Sequence, residues 1–359
     1  MSIPQAFPTQ YRRSAADLAQ THGQRHFFTL PDTRTPTAGT PGLLAKTDFT
    51  MLYGFDIGGT KIAFGAFDGT LSRVRQHRFA TPKDYATLLD ELCHTVRQAD
   101  SELGCQGSVG LGIPGIIDSI SGSLLTANVP AANGRRLQED LQERLGRPVY
   151  IDNDANCFAL SEAMDAANQH LASVLGVILG TGVGAGMIFR GQIHNGLNHV
   201  AGELGHMRLP IDALQAFGGD LPVFSCGCGQ RGCIDNYLSG RGFEQLFFHR
   251  FSERLAAQDI IQRYREGHPG TVVFVEQFFE LTACCFAGYL AMLDPELIVL
   301  GGGLSNFDEL YRELPKRLPR YMLKFARVPR IEKARHGDDG GVRGAAFLPL
   351  GMQAATNAA

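Results

Sequence analysis

The sequence predicts a duplicated α/β protein, two α/β halves facing one another across a cleft. Three observations carry this expectation. From Met51, MLYGFDIGGTKIAFGAFDGT places a β-branched and aromatic run, a glycine pair and a second apolar run in succession, the pattern of strand, tight turn, strand. ASVLGVILGTGVGAGMIF at 172–189 repeats that order with Gly-Thr-Gly at the turn. Helix-like segments follow each copy, KDYATLLDELCHTVRQADSEL at 83–103 and SGRGFEQLFFHRFSERL at 239–255.

Before the first strand, residues 1–50 are rich in Pro, Thr, Gln and Arg and end in TRTPTAGTPG with no sustained helical or strand period. That is the composition of a tail, a tag or a propeptide. The expected organisation is therefore an N-terminal extension over 1–50, a small α/β domain over 51–170 joined by a returning segment at 343–352, a large α/β domain with a cysteine loop over 171–342, and a tail over 353–359.

FDIGGTK (55–61) ends an apolar strand on a carboxylate and follows it with two glycines, a hydroxyl and an ammonium. Glycines let backbone N–H groups approach an anion closely, so Gly58, Gly59, Thr60 and Lys61 are candidates to surround phosphates, with Asp56 holding Mg2+ through water. An ordinary Gly-Gly hairpin turn is the plainer reading of the same residues. LGTGVG (179–184) adds a second such turn through Gly180, Thr181, Gly182 and Gly184. GGGLSN (301–306), after the strand LIVL, adds a third through Gly301, Gly302 and Gly303, suited to the adenosine end of a nucleotide. GLGIPG (110–115) matches G-x-G-x-x-G, yet Pro114 and the β-like IIDSISGSLL that follows deny it the helix on which a pyrophosphate sits. The pattern GxxxxGK[ST] is also absent, so a nucleotide reading rests on hairpin turns.

VYIDNDANCFALSEAM (149–164) delivers polar side chains at the end of a strand and then opens a helix. One aspartate there would be an N-cap. Asp152, Asn153 and Asp154 together exceed what a cap needs. Phosphoryl transfer to an alcohol calls for a carboxylate that orients and deprotonates the hydroxyl, with neighbours to hold the rest of a polyol.

The first thirty residues contain no apolar run of signal-peptide length, and the longest apolar stretch in the chain is read near 172–180, too short to span a membrane. Net charge is −3 with acids and bases interspersed, which argues against a polyanion binder. Of eight cysteines, Cys93, Cys105, Cys157, Cys284 and Cys285 lie in apolar patterns as reduced core residues. Cys226, Cys228 and Cys233, in CGCGQRGC, cannot all pair with one another, and with His206 they would complete a tetrahedral Zn2+ site. A free-thiol turn, with His206 only hydrogen-bonded in the core, is the alternative.

DIGGTK, GIPG (112–115), DNDAN, LGTGVG, ELGH (203–206), CGCGQRGC and GGG occur in this order from residue 51 to about 347, and together they resemble the ROK family of sugar kinases and repressors. The resemblance implies the duplicated ribonuclease H-like fold of actin and sugar kinases, a two-domain fold with an interdomain cleft. It implies ATP and Mg2+ as cofactors and a structural Zn2+ on His206, Cys226, Cys228 and Cys233 that fixes the loop presenting sugar-binding side chains. Asp154 matches the family's catalytic base, Asn153 and Glu203 match sugar-hydroxyl ligands, and His206 matches a zinc ligand within reach of the sugar. Asn128, in TANVPA, falls where the family often has another sugar-binding asparagine. Asp235 is the further candidate sugar ligand that the resemblance implies, standing where the family usually has a glutamate, one methylene longer.

DNDANCFALSEA, GHMRLP and the long spacer before CGCGQRGC are most similar to the family's amino-sugar branch. That implies ATP-dependent phosphorylation of N-acetyl-D-glucosamine at the 6-hydroxyl, with a glucokinase or fructokinase as the alternative. A sugar-responsive repressor is the reading from another class. Its helix-turn-helix would have to lie in residues 1–50, which show no helical pair and few basic residues, so no nucleic-acid partner is expected. The expected partners are a sugar and ATP, in a cytoplasmic monomer or homodimer with no membrane contact.

Overall fold

The structure, a computed structural model, describes residues 51–356; the expectations for residues 1–50 and for the end of the tail lie outside the described residues. The first half opens as a meander. β1 (Met51–Ile57), β2 (Lys61–Asp68) and β3 (Arg73–Ala80) pair antiparallel in turn, with Asp56 opposite Ala63. α1 (Tyr85–Leu103) follows. Asp84 caps it by accepting the Thr87 N–H at 2.9 Å, and Gly104 ends it in the left-handed region. β4 (Ser108–Ile113) then runs parallel to β1. The hairpin of β5 (Ile116–Ile117) and β6 (Leu124–Leu125) stands where a dinucleotide fingerprint would need a helix. α2 (Leu137–Leu145) leads into β7 (Val149–Asn153), which completes a sheet of order β3-β2-β1-β4-β7.

The second half repeats the plan. After α3 (Asp154–Ala163), β8 (Ser173–Leu179), β9 (Val183–Phe189) and β10 (Gln192–Ile193) form a second antiparallel meander. β11 (Leu297–Gly301) joins β8 in parallel, and β12 (Arg330–Lys333) joins β11, giving the order β10-β9-β8-β11-β12. Counted from the start of each half, both sheets have the same order and the same strand senses, so the duplication read from the two hairpins extends to whole sheets. Between β10 and β11 the chain inserts α4 (Ala213–Ala216), α5 (Asp235–Leu238), α6 (Gly240–Phe251), α7 (Ala257–Arg265) and α8 (Pro269–Leu293). α9 (Leu310–Arg317) precedes β12, and α10 (Gly340–Thr356) follows it.

Apolar cores form on both sides of each sheet. α1 and α2 cover one face of the first sheet around Tyr53, Phe64, Leu92 and Leu141. α6 and α8 cover the second sheet with a cluster of rings in which Phe243 lies 4.6 Å from Phe278 between centroids. α3 and α10 pack on each other between the sheets, α10 against β1 and β4 and α3 against β8 and β9, burying Cys157, Leu160, Ala345 and Phe347. Glycines on the facing strands permit this approach: a Cβ on Gly110 would lie 1.9 Å from the Ala345 carbonyl oxygen, and one on Gly186 would lie 2.6 Å from that of Ala155.

α8 corrects the expectation drawn from 172–180, because it is long and apolar enough to cross a membrane. Its most apolar window is 67% buried in the fold, which makes it the central helix of the second core.

Candidate active site

The strand ends bring the chemistry together. Asp56 at the end of β1, Lys61 at the start of β2, Asp154 just beyond β7 and the turn Gly301–Gly303 after β11 line one cleft of about 520 Å³. Ligands in α/β folds bind beyond the carboxyl ends of strands, and this cleft has that position. Gly180 and Thr181 open on a neighbouring cavity of about 840 Å³ that shares Gly303 and Asn306 with the first. A nucleotide lying across both would have its phosphates near Asp56 and its nucleoside beyond Gly303. Gly59 and Thr60 line a different hollow, of about 560 Å³, beside Lys83 and Pro130. Gly58 donates its N–H to the Lys61 carbonyl at 3.0 Å, holding the first turn closed. Asn128 is exposed next to that turn. Gly184 lies over Ala155, in the helix that carries Asp154.

The Asp-Asn-Asp run is divided among separate tasks. Asp152 is 5% exposed, and its carboxylate accepts from the Asn153 N–H at 2.7 Å, from Asn156 Nδ2 at 2.8 Å and from Asn195 Nδ2 at 2.9 Å. Burial raises its pKa, and these bonds pull against that rise. Asn153 is the N-cap of α3, accepting the Ala155 N–H at 2.8 Å while its Nδ2 donates to the Gly115 carbonyl at 2.9 Å. Its side chain thus joins the GIPG turn to the helix start. Asp154 is the first residue of α3, and its Oδ1 accepts the same Ala155 N–H at 3.0 Å. Burial raises its pKa, and bonds from the backbone N–H groups of Ala155 and of Asp154 itself oppose the rise.

Glu203 precedes the short 3₁₀ turn Leu204–His206 and His206 ends it, with His206 Nε2 3.8 Å from Glu203 Oε2. Burial raises the pKa of Glu203, the His206 charge lowers it, and Asp154 and Asp235 raise it again, so the three carboxylates are electrostatic neighbours. The other ring nitrogen of His206, Nδ1, lies 3.6 Å from Cys226 Sγ, and Cys228 Sγ lies 3.6 Å from Cys233 Sγ. One donor atom from each of His206, Cys226, Cys228 and Cys233 falls within 4.8 Å of all the others. Ligands about 2.3 Å from a tetrahedral zinc stand about 3.8 Å apart, so the four side chains fit Zn2+ in both spacing and chemistry. The cysteines are free thiols. Asp235 is turned elsewhere. Its Oδ1 accepts the Val183 N–H of the second glycine turn at 2.7 Å, and its Oδ2 lies 3.3 Å from Arg241.

Several residues of the site carry no motif. Arg78, on β3, and Lys333, at the end of β12, add two cations to the cleft. Glu162 is fully buried in the last turn of α3 and accepts the backbone N–H groups of Arg335 and His336, both at 3.1 Å. It thereby fixes the segment whose Ala334 and Gly337 form a wall of the cleft. A carboxylate placed after the apolar run CFAL in DANCFALSEA was the available signal. Asn195, which serves Asp152, lies in a loop with no distinguishing pattern.

Two sheets of one plan, with glycine turns and a cleft-lining aspartate at their strand ends, define a two-domain fold of the actin and sugar-kinase type. The chain belongs to the ROK family, whose model matches residues 52–351. It is 57% identical over 301 residues to an N-acetyl-D-glucosamine kinase of Photobacterium profundum, covering 84% of this chain and 99% of that protein. It is 55% identical to an N-acetyl-D-glucosamine kinase of Vibrio cholerae serotype O1, covering 84% of this chain and all of that protein (100%). Among solved structures it is similar to a ROK hexokinase from Thermus thermophilus, with TM-score 0.74 and 31% identity over 85% of this chain and 99% of that one. A ROK family glucokinase from Streptomyces griseus in complex with glucose and AMPPNP aligns with TM-score 0.63 and 28% identity, over 83% and 98% of the two chains.

Proposed function

We propose that this protein transfers the γ-phosphoryl group of ATP to the 6-hydroxyl of N-acetyl-D-glucosamine. The position of Asp154 carries the reading: it is a half-buried carboxylate, its pKa raised by burial, at the wall of the cleft that also holds Asp56, Lys61 and the Gly301–Gly303 turn. Asp154 orients the 6-hydroxyl and takes its proton as the new oxygen–phosphorus bond forms and the bond to ADP breaks. Lys61, with Arg78 and Lys333, lines the cleft with positive charge for the phosphates. Mg2+, held through Asp56, would neutralise charge on the β- and γ-phosphoryl oxygens.

Glu203 and His206, with Asn153 and Asn128 as further candidates, hold the sugar hydroxyls. Zn2+ on His206 and the three cysteines would be structural, and the ring of His206 bridges that site to Glu203. The choice of acceptor is supported by relatives of 55–57% identity aligned over nearly their whole length. We place this activity in the cytoplasm, where ATP is supplied.

A coupled assay across N-acetylglucosamine, N-acetylmannosamine, glucose, mannose and fructose tests the proposal. N-acetylglucosamine should give the highest kcat/KM, with glucose about 30- to 1,000-fold poorer, because glucose leaves the partners of the acetamido group unpaired. Glucose or fructose outperforming it by about tenfold, a difference of about 1.4 kcal/mol, would overturn the acceptor assignment.

A further inference from the structure

We propose that Asp235 is a positioning residue for the nucleotide, holding the second glycine turn in its anion-receiving shape, and that it is not a ligand of the sugar. The inference rests on the kinase reading above. Asp235 opens α5, two residues beyond Cys233, and its side chain is 15% exposed. Its Oδ1 accepts the Val183 N–H at 2.7 Å. The carboxylate lies flat against the turn: a Cβ on Gly182 would stand 2.6 Å from Oδ1, so a residue with a side chain at 182 would displace it.

The contact belongs to a wider seam. Gly240 donates its N–H to the Gly180 carbonyl at 2.7 Å, and Ser239 Oγ donates to the Asp235 carbonyl at 2.6 Å, so both ends of residues 235–240 are tied down around the turn. Gly180 and Thr181 face the cavity of about 840 Å³, and so does Arg241, whose guanidinium pairs with Asp235 Oδ2.

The physical need is clear. The Gly-Thr-Gly-Val-Gly turn has one internal bond, from the Gly180 N–H to the Gly182 carbonyl at 2.9 Å, and its glycines leave the rest of the backbone weakly restricted. Its N–H groups present a fixed concavity to an anion only when neighbouring bonds hold them. A carboxylate on the Val183 N–H supplies a charge-assisted bond of this kind. Its negative charge would oppose a nearby polyphosphate, and Arg241 offsets that charge on the nucleotide side. The shorter side chain suits the task, since a glutamate at 235 would carry its carboxylate one methylene past the Val183 N–H.

The test uses the full chain with its metals retained. Steady-state kinetics would give KM for ATP and for N-acetylglucosamine, and calorimetric titration with AMPPNP would give nucleotide affinity without turnover. Asp235→Ala should raise both the ATP KM and the AMPPNP Kd about tenfold while leaving the sugar KM unchanged. Asp235→Asn, which keeps an acceptor for Val183, should recover most of that loss. Gly182→Ala, which pushes the carboxylate off the turn, should reproduce the nucleotide defect and carries the test if Asp235→Ala does not fold.

A sugar KM that rises about tenfold with nucleotide affinity unmoved would put Asp235 in the acceptor pocket and overturn the proposal. Equal changes in both constants, or none in either, would overturn it as well. Failure of the unaltered protein to phosphorylate N-acetylglucosamine would strike at the proposed function, whereas the AMPPNP titrations report on Asp235 independently.

Discussion

Asp152 and Asp154 are two residues apart, Asp152 buried and Asp154 half-buried, and only Asp152 is saturated by side-chain donors, from Asn156 and Asn195. Asp154 has the Ala155 N–H and opens on the cleft, which leaves its carboxylate available to a hydroxyl. Burial raises its pKa, so the acid limb of kcat/KM should lie above the ordinary aspartate value of about 3.9. The same shift fixes the sign of its effect on stability. A raised carboxylate pKa favours the fold when the group is protonated, and that contribution is lost as pH rises through the folded-state value. At pH 7 the ionised Asp154 therefore opposes folding. Asp154→Asn should lower kcat about 10²- to 10⁴-fold while leaving Tm at pH 7 equal or higher, the Tm difference shrinking toward about pH 4. Calorimetry beside single-turnover kinetics would check both, and a near-normal kcat would remove Asp154 from the role of base.

At the scale of elements, α3 organises the site from both ends. Its first residue, Asp154, lines the cleft and its last turn holds another part of the wall, where Glu162 receives two backbone N–H groups of the segment before α10. Glu162→Gln keeps the volume but turns an amide N–H₂ toward one of those donors. The expected cost is about 1.5–3 kcal/mol by denaturant titration, with a raised KM for ATP as the wall at Ala334 and Gly337 loosens. An unchanged ATP KM would show that the wall is held by other contacts. The helices α1, α3 and α6 were legible because each opens on a capping residue, Asp84, Asn153 and Ser239. β3 was not, since RVRQHRFA is polar and largely exposed at a sheet edge, with no apolar alternation to read.

For the whole molecule, the cysteine loop lies in sequence between Glu203, beside His206, and Asp235, which holds the second glycine turn. Cys233 pairs in an isolated bridge with Arg208, whose guanidinium donates to Cys233 Sγ at 2.9 Å and places a positive charge beside the cysteine cluster. Cys228→Ser should release bound zinc, read by a colorimetric chelator, and raise the KM for sugar more than that for ATP. His206 and Glu203 depend directly on that cluster, whereas the second glycine turn keeps its bonds to Asp235 and Gly240. Full retention of zinc, or equal damage to both constants, would contradict this division.

The sequence by itself determined the duplication, the three glycine turns, the aspartate at the head of α3 and the four metal-type ligands. Each of these is written in local order: alternating apolar runs, glycine spacing, a cap position, sulfur spacing. Tertiary structure decided what local order cannot specify. It brought Asp56, Asp154 and Gly303 to one cleft across gaps of nearly a hundred residues or more, and it added Arg78 and Lys333 from strands that no motif marks. It also turned Asp235 onto the Val183 N–H, because the direction of a side chain is set by the elements packed around it and not by its neighbours in sequence.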